Sequence, residues 1–213
     1  MMHPSGPQSL PSTISRITRQ KLLVVEGRDA SEFFEALLRH LNLATEIEVR
    51  DFGGVSELRR YLRTLVLTPG FTNVVSLGII RDAEADATSA FQSVCNSLSQ
   101  SGLSVPRLPM VIVESKPRVT VFILPDCESP GMLEKLCLQT VSNDTAMPCV
   151  EQYFQCLQQR RRTLPTNLPK AQLHTFLASR PKSNLRLGEA AHAGYWPWED
   201  PAFDKLKEFL CAL

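Results

Sequence analysis

A chain of 213 residues with 43% hydrophobic and 21% charged residues has enough apolar material for one globular domain with a substantial core. Its formal net charge of +1 excludes a globally basic nucleic-acid binder, although a locally basic groove remains compatible with that balance. No apolar run approaches the roughly 20 residues that cross a bilayer, which excludes a membrane-spanning helix.

The opening MMHPSGPQSLPSTIS is rich in Pro, Ser and Gly and has neither the charged start nor the apolar stretch of a signal peptide. We expect residues 1–18 to be a disordered lead-in and the protein to be cytoplasmic. Residues 19–213 then read as a single α/β domain whose C-terminal part, from about residue 131, is helical. LLVV at residues 22–25 reads as a fully buried strand that stops at Glu26 and Gly27. Asp29, with Glu32 as reciprocal partner, is expected to cap a helix carrying Phe33, Phe34, Leu37, Leu38 and Leu41 at helical spacing. Ile47, Val49 and Phe52 suggest a second strand, closed by Gly53 and Gly54. Residues 55–67 form an amphipathic helix up to the Thr68-Pro69-Gly70 breaker, and residues 73–80 a third strand. Phe91, Val94, Cys95 and Leu98 mark a helix ending at Gly102. Residues 109–113 and 119–124 read as two further strands, paired as a hairpin or at a sheet edge. Helices follow near 132–141, 150–161, 170–179 and 201–213. The early alternation of strand and helix implies right-handed crossovers and a mainly parallel sheet flanked by helices.

In such a sheet, ligands sit beyond the carboxyl ends of the strands. Glu26 ends the first strand and Asp82 the third, so the two carboxylates meet if those strands are neighbours. Glu84 and Asp86 follow at the start of the next helix, Asp126 ends VFILPD, and Glu134 lies one short segment on. Carboxylates gathered this closely repel one another and become partly protonated. A hard divalent cation with oxygen ligands removes that problem and can orient a phosphodiester while activating a water. The competing reading is that these acids cap helices and face solvent.

VVEGRD, followed further on by D-A-E-A-D, resembles a Toprim domain, whose hallmarks are a Glu after the first strand and D-x-D-x-E after the third. The stretches GIIRDAEAD, FILPDCESPGMLEKL, KAQLHTFLASRPKSNLRLGEAA and GYWPWEDPAFDKLKEFL are similar to a Toprim-like family of uncharacterised function related to the nuclease domain of OLD-family proteins. The pattern is exchanged in kind here, with Glu84 where Asp is usual and Asp86 where Glu is usual. The resemblance implies a Toprim-like (Rossmann-like) fold and a Mg²⁺ or Mn²⁺ ion on Glu26, Asp82 and Glu84. Asp86 and Glu134 would be second-site or water-orienting acids. It also implies a late lysine that stabilises charge on the reacting phosphate, with Lys182 as the best match and Lys170 as the alternative.

Arg28, beside Glu26, is placed either to contact a phosphate or to balance the acids. Arg160, Arg161 and Arg162 read as the solvated end of a helix. His3, His40, His174 and His192 share no ligand spacing, and His40 and His174 are expected to pack within helices. Trp196 and Trp198 are expected to staple a C-terminal helix onto the core. The 6 cysteines form no C-x-x-C pair and are expected to be buried or half-buried free thiols. These readings lead to a metal-dependent nuclease acting on DNA or RNA. The alternative is a non-catalytic Toprim-like module holding a nucleotide or a partner protein, which the exchanged acids and near-neutral charge favour. An open sheet edge is compatible with a homodimer. The absence of a G-x-x-x-x-G-K-[ST] loop would leave any ATPase role to a separate partner.

Overall fold

The computed structural model describes residues 15–161 and 163–213. Residues 1–14 of the expected lead-in, with His3, lie outside the described residues, as does Arg162. The described chain is tied down before residue 19. Ile17 is buried and its N–H donates to the Pro69 carbonyl, while Thr18 and Arg19 donate to the Glu48 carboxylate.

Four strands, β1 (Lys21–Val25), β2 (Ile47–Asp51), β3 (Ser76–Asp82) and β4 (Arg118–Leu124), form one parallel sheet in the order β2-β1-β3-β4. The helices are α1 (Arg28–His40), α2 (Leu58–Leu65), α3 (Ala87–Ser99), α4 (Leu133–Thr140), α5 (Met147–Arg161), α6 (Leu168–Ala178), α7 (Leu187–His192) and α8 (Asp204–Ala212). The architecture is therefore α/β, a parallel sheet flanked by helices with a helical C-terminal part. Side chains alternate across a strand, so the LLVV run serves two cores at once. Leu22 and Val24 join α2 and α3 residues on one face; Leu23 and Val25 join α1, α4 and α6 to α8 on the other. Both faces of β1 are covered, which is why its sequence shows an unbroken apolar run.

Several local expectations are corrected. Residues 109–113 are not a strand; that segment touches the edge of β4 only through an isolated bridge from Val113 to Val119 and a bond from the Met110 N–H to Val121. Met110 has φ 63, and Pro109 has no N–H to donate, so extended pairing cannot propagate there. Asp29 is not the cap of α1. The helix begins two residues earlier than that cap would set it, with Gly27 as N-cap at φ 84, and Asp29 sits in the first turn. The third strand reaches Asp82 rather than stopping at residue 80, which places Asp82 inside the sheet. His174 lies exposed on α6, while His40, at the end of α1, sits at the surface with its ring beside Trp198 and its Nε2 3.1 Å from the Glu199 carboxylate. Cys95 and Cys137 are buried and Cys127 half-buried, but Cys149, Cys156 and Cys211 are exposed, all as free thiols.

The aromatic staple forms. Trp196 is buried, its Nε1–H donates to the Leu187 carbonyl at 3.2 Å, and its ring stacks on Phe176. Trp198 packs edge-on against Phe33. Helix α8 reaches the sheet at Gly78, where a Cβ would stand 2.9 Å from Leu213 and 3.2 Å from Phe209.

Helix α7 presses onto α1 at Gly188. A Cβ there would stand 2.5 Å from the Cβ of Glu32 and 2.7 Å from the Asp29 carbonyl, neither of which can move without shifting α1. Gly188→Ala is expected to destabilise the protein by about 1–3 kcal/mol, as overpacking does, read as a lower melting temperature. An unchanged melt would mean that α7 does not seat this closely.

Candidate functional site

The acids collect at the carboxyl end of the sheet because parallel strands end there together. β1 pairs with β3 in a register that sets Val24 beside Ile79. Extending it by two residues sets Glu26, the first residue past β1, level with Arg81, one position before Asp82. The strands that carry Glu26 and Asp82 are thus immediate neighbours, although a strand and two helices separate them in the chain.

The loop after β3 is fastened to the loop before α4. Glu84 and Gly131 exchange two backbone hydrogen bonds of 2.8 Å, forming an antiparallel bridge. Glu84 is held there at φ 55, an uncommon conformation for a residue with a side chain and one found at functional turns. The same fastening aims the start of α4 at the sheet, and the Leu133 N–H donates to Asp82 Oδ1 at 3.0 Å. Asp82 therefore acts as a long-range cap for α4, whose own N-cap residue, Met132, supplies no side-chain acceptor. Glu134 stands in the first turn of α4, within 4.0 Å of the Lys170 ammonium on α6.

The electrostatics follow from this crowding. Burial first, then the charges of Glu26 and Glu134, together push the Asp82 carboxyl up to about 8, with the Leu133 N–H opposing the rise and Glu84 adding to it. Burial likewise pushes Glu26 up to about 7. The Arg81 guanidinium opposes that rise, Glu84 and Asp51 add to it, and the Asp82 backbone N–H lowers it. Glu26 Oε2 is buried without a hydrogen-bond partner. Among the described residues, no group of three or more His, Cys, Asp or Glu side chains is close enough to form a ready-made metal cage.

The structure thus brings Glu26, Asp82, Glu84 and Glu134 into one electrostatic neighbourhood. It uses the remaining acids differently. Asp86 is exposed and is the N-cap of α3, accepting from the Ser89 N–H at 2.6 Å; the Ser89 hydroxyl and then that N–H hold its carboxyl below the ordinary range. Asp126 caps its own turn, accepting from the Glu128 and Ser129 N–H groups and the Ser129 hydroxyl. Lys182 lies exposed in the loop before α7, where its backbone N–H donates to the Tyr195 hydroxyl; among the described residues its ammonium pairs with none of the acids. Arg28 is exposed at the start of α1 and bonds Glu32 at 2.9 Å.

Two residues that sequence reasoning passed over belong to the site. Asp51 ends β2 and accepts from the Gly27 and Gly53 N–H groups at 2.8 and 2.6 Å, fixing the turn that carries Glu26. Its signal, an acid before Gly-Gly at a strand end, was present in the sequence. Arg81 is only 7% exposed and lies within an otherwise apolar strand. A cleft of about 500 Å³ opens beside Glu84, lined by Gly131, Met132, Lys135, Thr166 and Asn167.

A family model described as "Protein of unknown function (DUF3226)" matches residues 20–213. A comparison with curated proteins finds no match. Among solved structures, the chain is similar to the C-terminal region of the Xanthomonas campestris pv. campestris OLD protein. The iodine-phased structure is 16% identical with a TM-score of 0.46, covering 90% of this chain and 94% of that one. The mercury-phased structure is 15% identical with a TM-score of 0.44 over 90% and 94%. The platinum-phased structure is 12% identical with a TM-score of 0.42 over 91% and 95%.

Proposed function

The chain belongs to the DUF3226 family, and from that premise, which carries no chemistry of its own, we propose that it is a divalent-metal-dependent phosphodiesterase acting on DNA or RNA through a Toprim-like acidic site. One observation carries this reading: neighbouring strands deliver Glu26 and Asp82 to the same end of the sheet, and the Glu84–Gly131 bridge adds Glu84 and Glu134 to them. Nothing but oxygen donors is offered, which suits Mg²⁺ or Mn²⁺, and Glu26 Oε2 is left without a partner. Glu26, Asp82 and Glu84 would hold the ion, with water filling its other positions, and Glu134 would orient a water; Asp86, spent on capping α3, would stand outside the ion's shell. When bound, the ion would supply charge to the phosphate and lower the pKa of a nearby water.

The chain's own groups have separable tasks. The α4 N-terminus holds the Asp82 carboxylate in place through the Leu133 N–H. Lys170, already beside Glu134, is better placed than Lys182 to put a positive charge on a phosphate oxygen. Arg28 and Lys182, both exposed, would meet the nucleic-acid backbone further out.

A second reading is a non-catalytic module that holds a nucleotide or a partner protein at the same acids; the lack of a closed carboxylate cage favours it. Incubation with plasmid, single-stranded DNA and structured RNA, with Mn²⁺ or with a chelator, separates the two. We expect cleavage that needs the metal and vanishes in Glu26→Gln. Cleavage that persists in Glu26→Gln comes from a contaminant. Intact substrates together with nucleotide binding establish the second reading.

A further inference from the structure

The interior beside the acids holds two unpaired groups of opposite charge. Glu26 Oε2 is buried with no hydrogen-bond partner, and so is Arg81 Nε. Extending the β1–β3 register by two residues sets Glu26 level with Arg81, alternation along β3 sends the Arg81 side chain to the face of Leu77 and Ile79, and its charge acts on the Glu26 carboxyl. Arg81 is 7% exposed, makes one long hydrogen bond of 3.5 Å to the Ala90 carbonyl of α3, and forms no salt bridge with any acid among the described residues. A buried guanidinium without a carboxylate is costly, and an orphaned polar atom of this kind calls for a physical reason. Contact with substrate is not that reason, because so enclosed a group cannot reach a phosphate arriving from solvent.

The acids supply the reason. Asp51 is saturated by two backbone N–H groups, Asp82 is bonded on one oxygen by Leu133, and Glu134 has Lys170 beside it. The negative charge left over is that of Glu26, on which the Arg81 guanidinium acts directly, and that of the exposed Glu84 beside it. We infer that Arg81 is a fixed internal cation of the acidic site, doing the electrostatic work of a second metal ion and limiting the cluster to one divalent ion. A permanent positive charge behind Glu26 repels a further cation there and balances one carboxylate while the site is empty. This deepens the metal-site reading and rests on it.

Binding of Mn²⁺ alone tests the inference, with free Mn²⁺ counted by electron paramagnetic resonance and folding checked by circular dichroism. The wild-type protein is expected to bind one Mn²⁺ per chain. Arg81→Met fills the same interior space without charge, and such replacements of buried charge are commonly tolerated. It is expected to bind its first Mn²⁺ about tenfold more tightly, because a nearby like charge is gone, whereas Arg81→Lys keeps the wild-type affinity. Two ions on the wild-type protein overturn the inference but leave the metal site standing, as does an unchanged or weaker affinity in folded Arg81→Met. No Mn²⁺ on either protein overturns the inference and the metal-site reading together. Should Arg81→Met fail to fold, the wild-type ion count and the affinity of Arg81→Lys still decide it.

Discussion

Asp82→Asn is expected to abolish metal-dependent cleavage, by at least about 10³-fold, while making the metal-free protein more stable at pH 8. On the proposed metal-site reading, the loss would follow from removing a charged ligand at the centre of the acids, a change on the scale of several kcal/mol in transition-state stabilisation. The gain follows from linkage. The folded-state carboxyl of Asp82 is raised to about 8 from an ordinary 3.8, and that of Glu26 to about 7 from 4.5. A group raised in this way contributes stability that is fully present below its ordinary value and is lost as pH climbs through the folded value. The metal-free wild-type protein should therefore lose stability progressively between about pH 4 and pH 8 from these two groups. The asparagine has no proton to lose, and its side-chain oxygen still accepts from the Leu133 N–H. At pH 8 the variant should be more stable by up to about 5 kcal/mol, the full cost of ionising a carboxyl raised from 3.8 to about 8, or roughly 10 °C or more in melting temperature for a chain of this size. At pH 4 the two proteins should melt together. Mn²⁺ at pH 8 should raise the wild-type melting temperature and leave the variant nearly unmoved. A variant that is less stable at pH 8 than at pH 4, relative to wild type, would show that Asp82 is ionised and satisfied without any cation.

Trp196→Ala carries the largest expected loss of stability. The indole is 2% exposed, lies in the same core cluster as α1 and α8, stacks on Phe176 with ring centroids 6.1 Å apart, and donates to Leu187. Truncation removes the whole aromatic surface, leaves a cavity between α6 and α7, and strands a carbonyl acceptor. Such changes destabilise by about 3–5 kcal/mol, which lowers the melting temperature by roughly 10 °C in a domain of this size. Trp196→Phe keeps most of the apolar area and should lose less than half as much. Equal losses in the two variants would assign the effect to the single Nε1–H bond rather than to packing.

The contrast between these residues shows what a sequence makes legible. LLVV announced a strand covered on both faces, because an apolar run without alternation has few other uses, and Glu26 was visible as the acid that stops it. The helix at α1 was equally plain from the spacing of Phe33, Phe34, Leu37 and Leu38, although its cap was assigned to Asp29 when Gly27 starts it. Residues 109–113 misled, since an apolar stretch indicates burial but not a φ of 63 at Met110. Among the acids, Asp86 looked much the same as Glu84, and only the hydrogen bond to Ser89 separates the helix cap from the member of the cluster.

By itself the sequence determined the order of strands and helices as far as α3 and placed carboxylates at strand ends, because backbone periodicity and chain breakers act over a few residues and are written locally; the false strand at 109–113 and the α7 missing from that order mark where it stopped. The tertiary structure alone decided that β1 lies against β3 with β2 outside it, that Gly131 holds Glu84, that Lys170 rather than Lys182 stands beside Glu134, and that Arg81 is buried behind Glu26. Those are meetings between residues far apart in the chain, fixed by how two cores close on opposite faces of one sheet. Local propensity has no term for them.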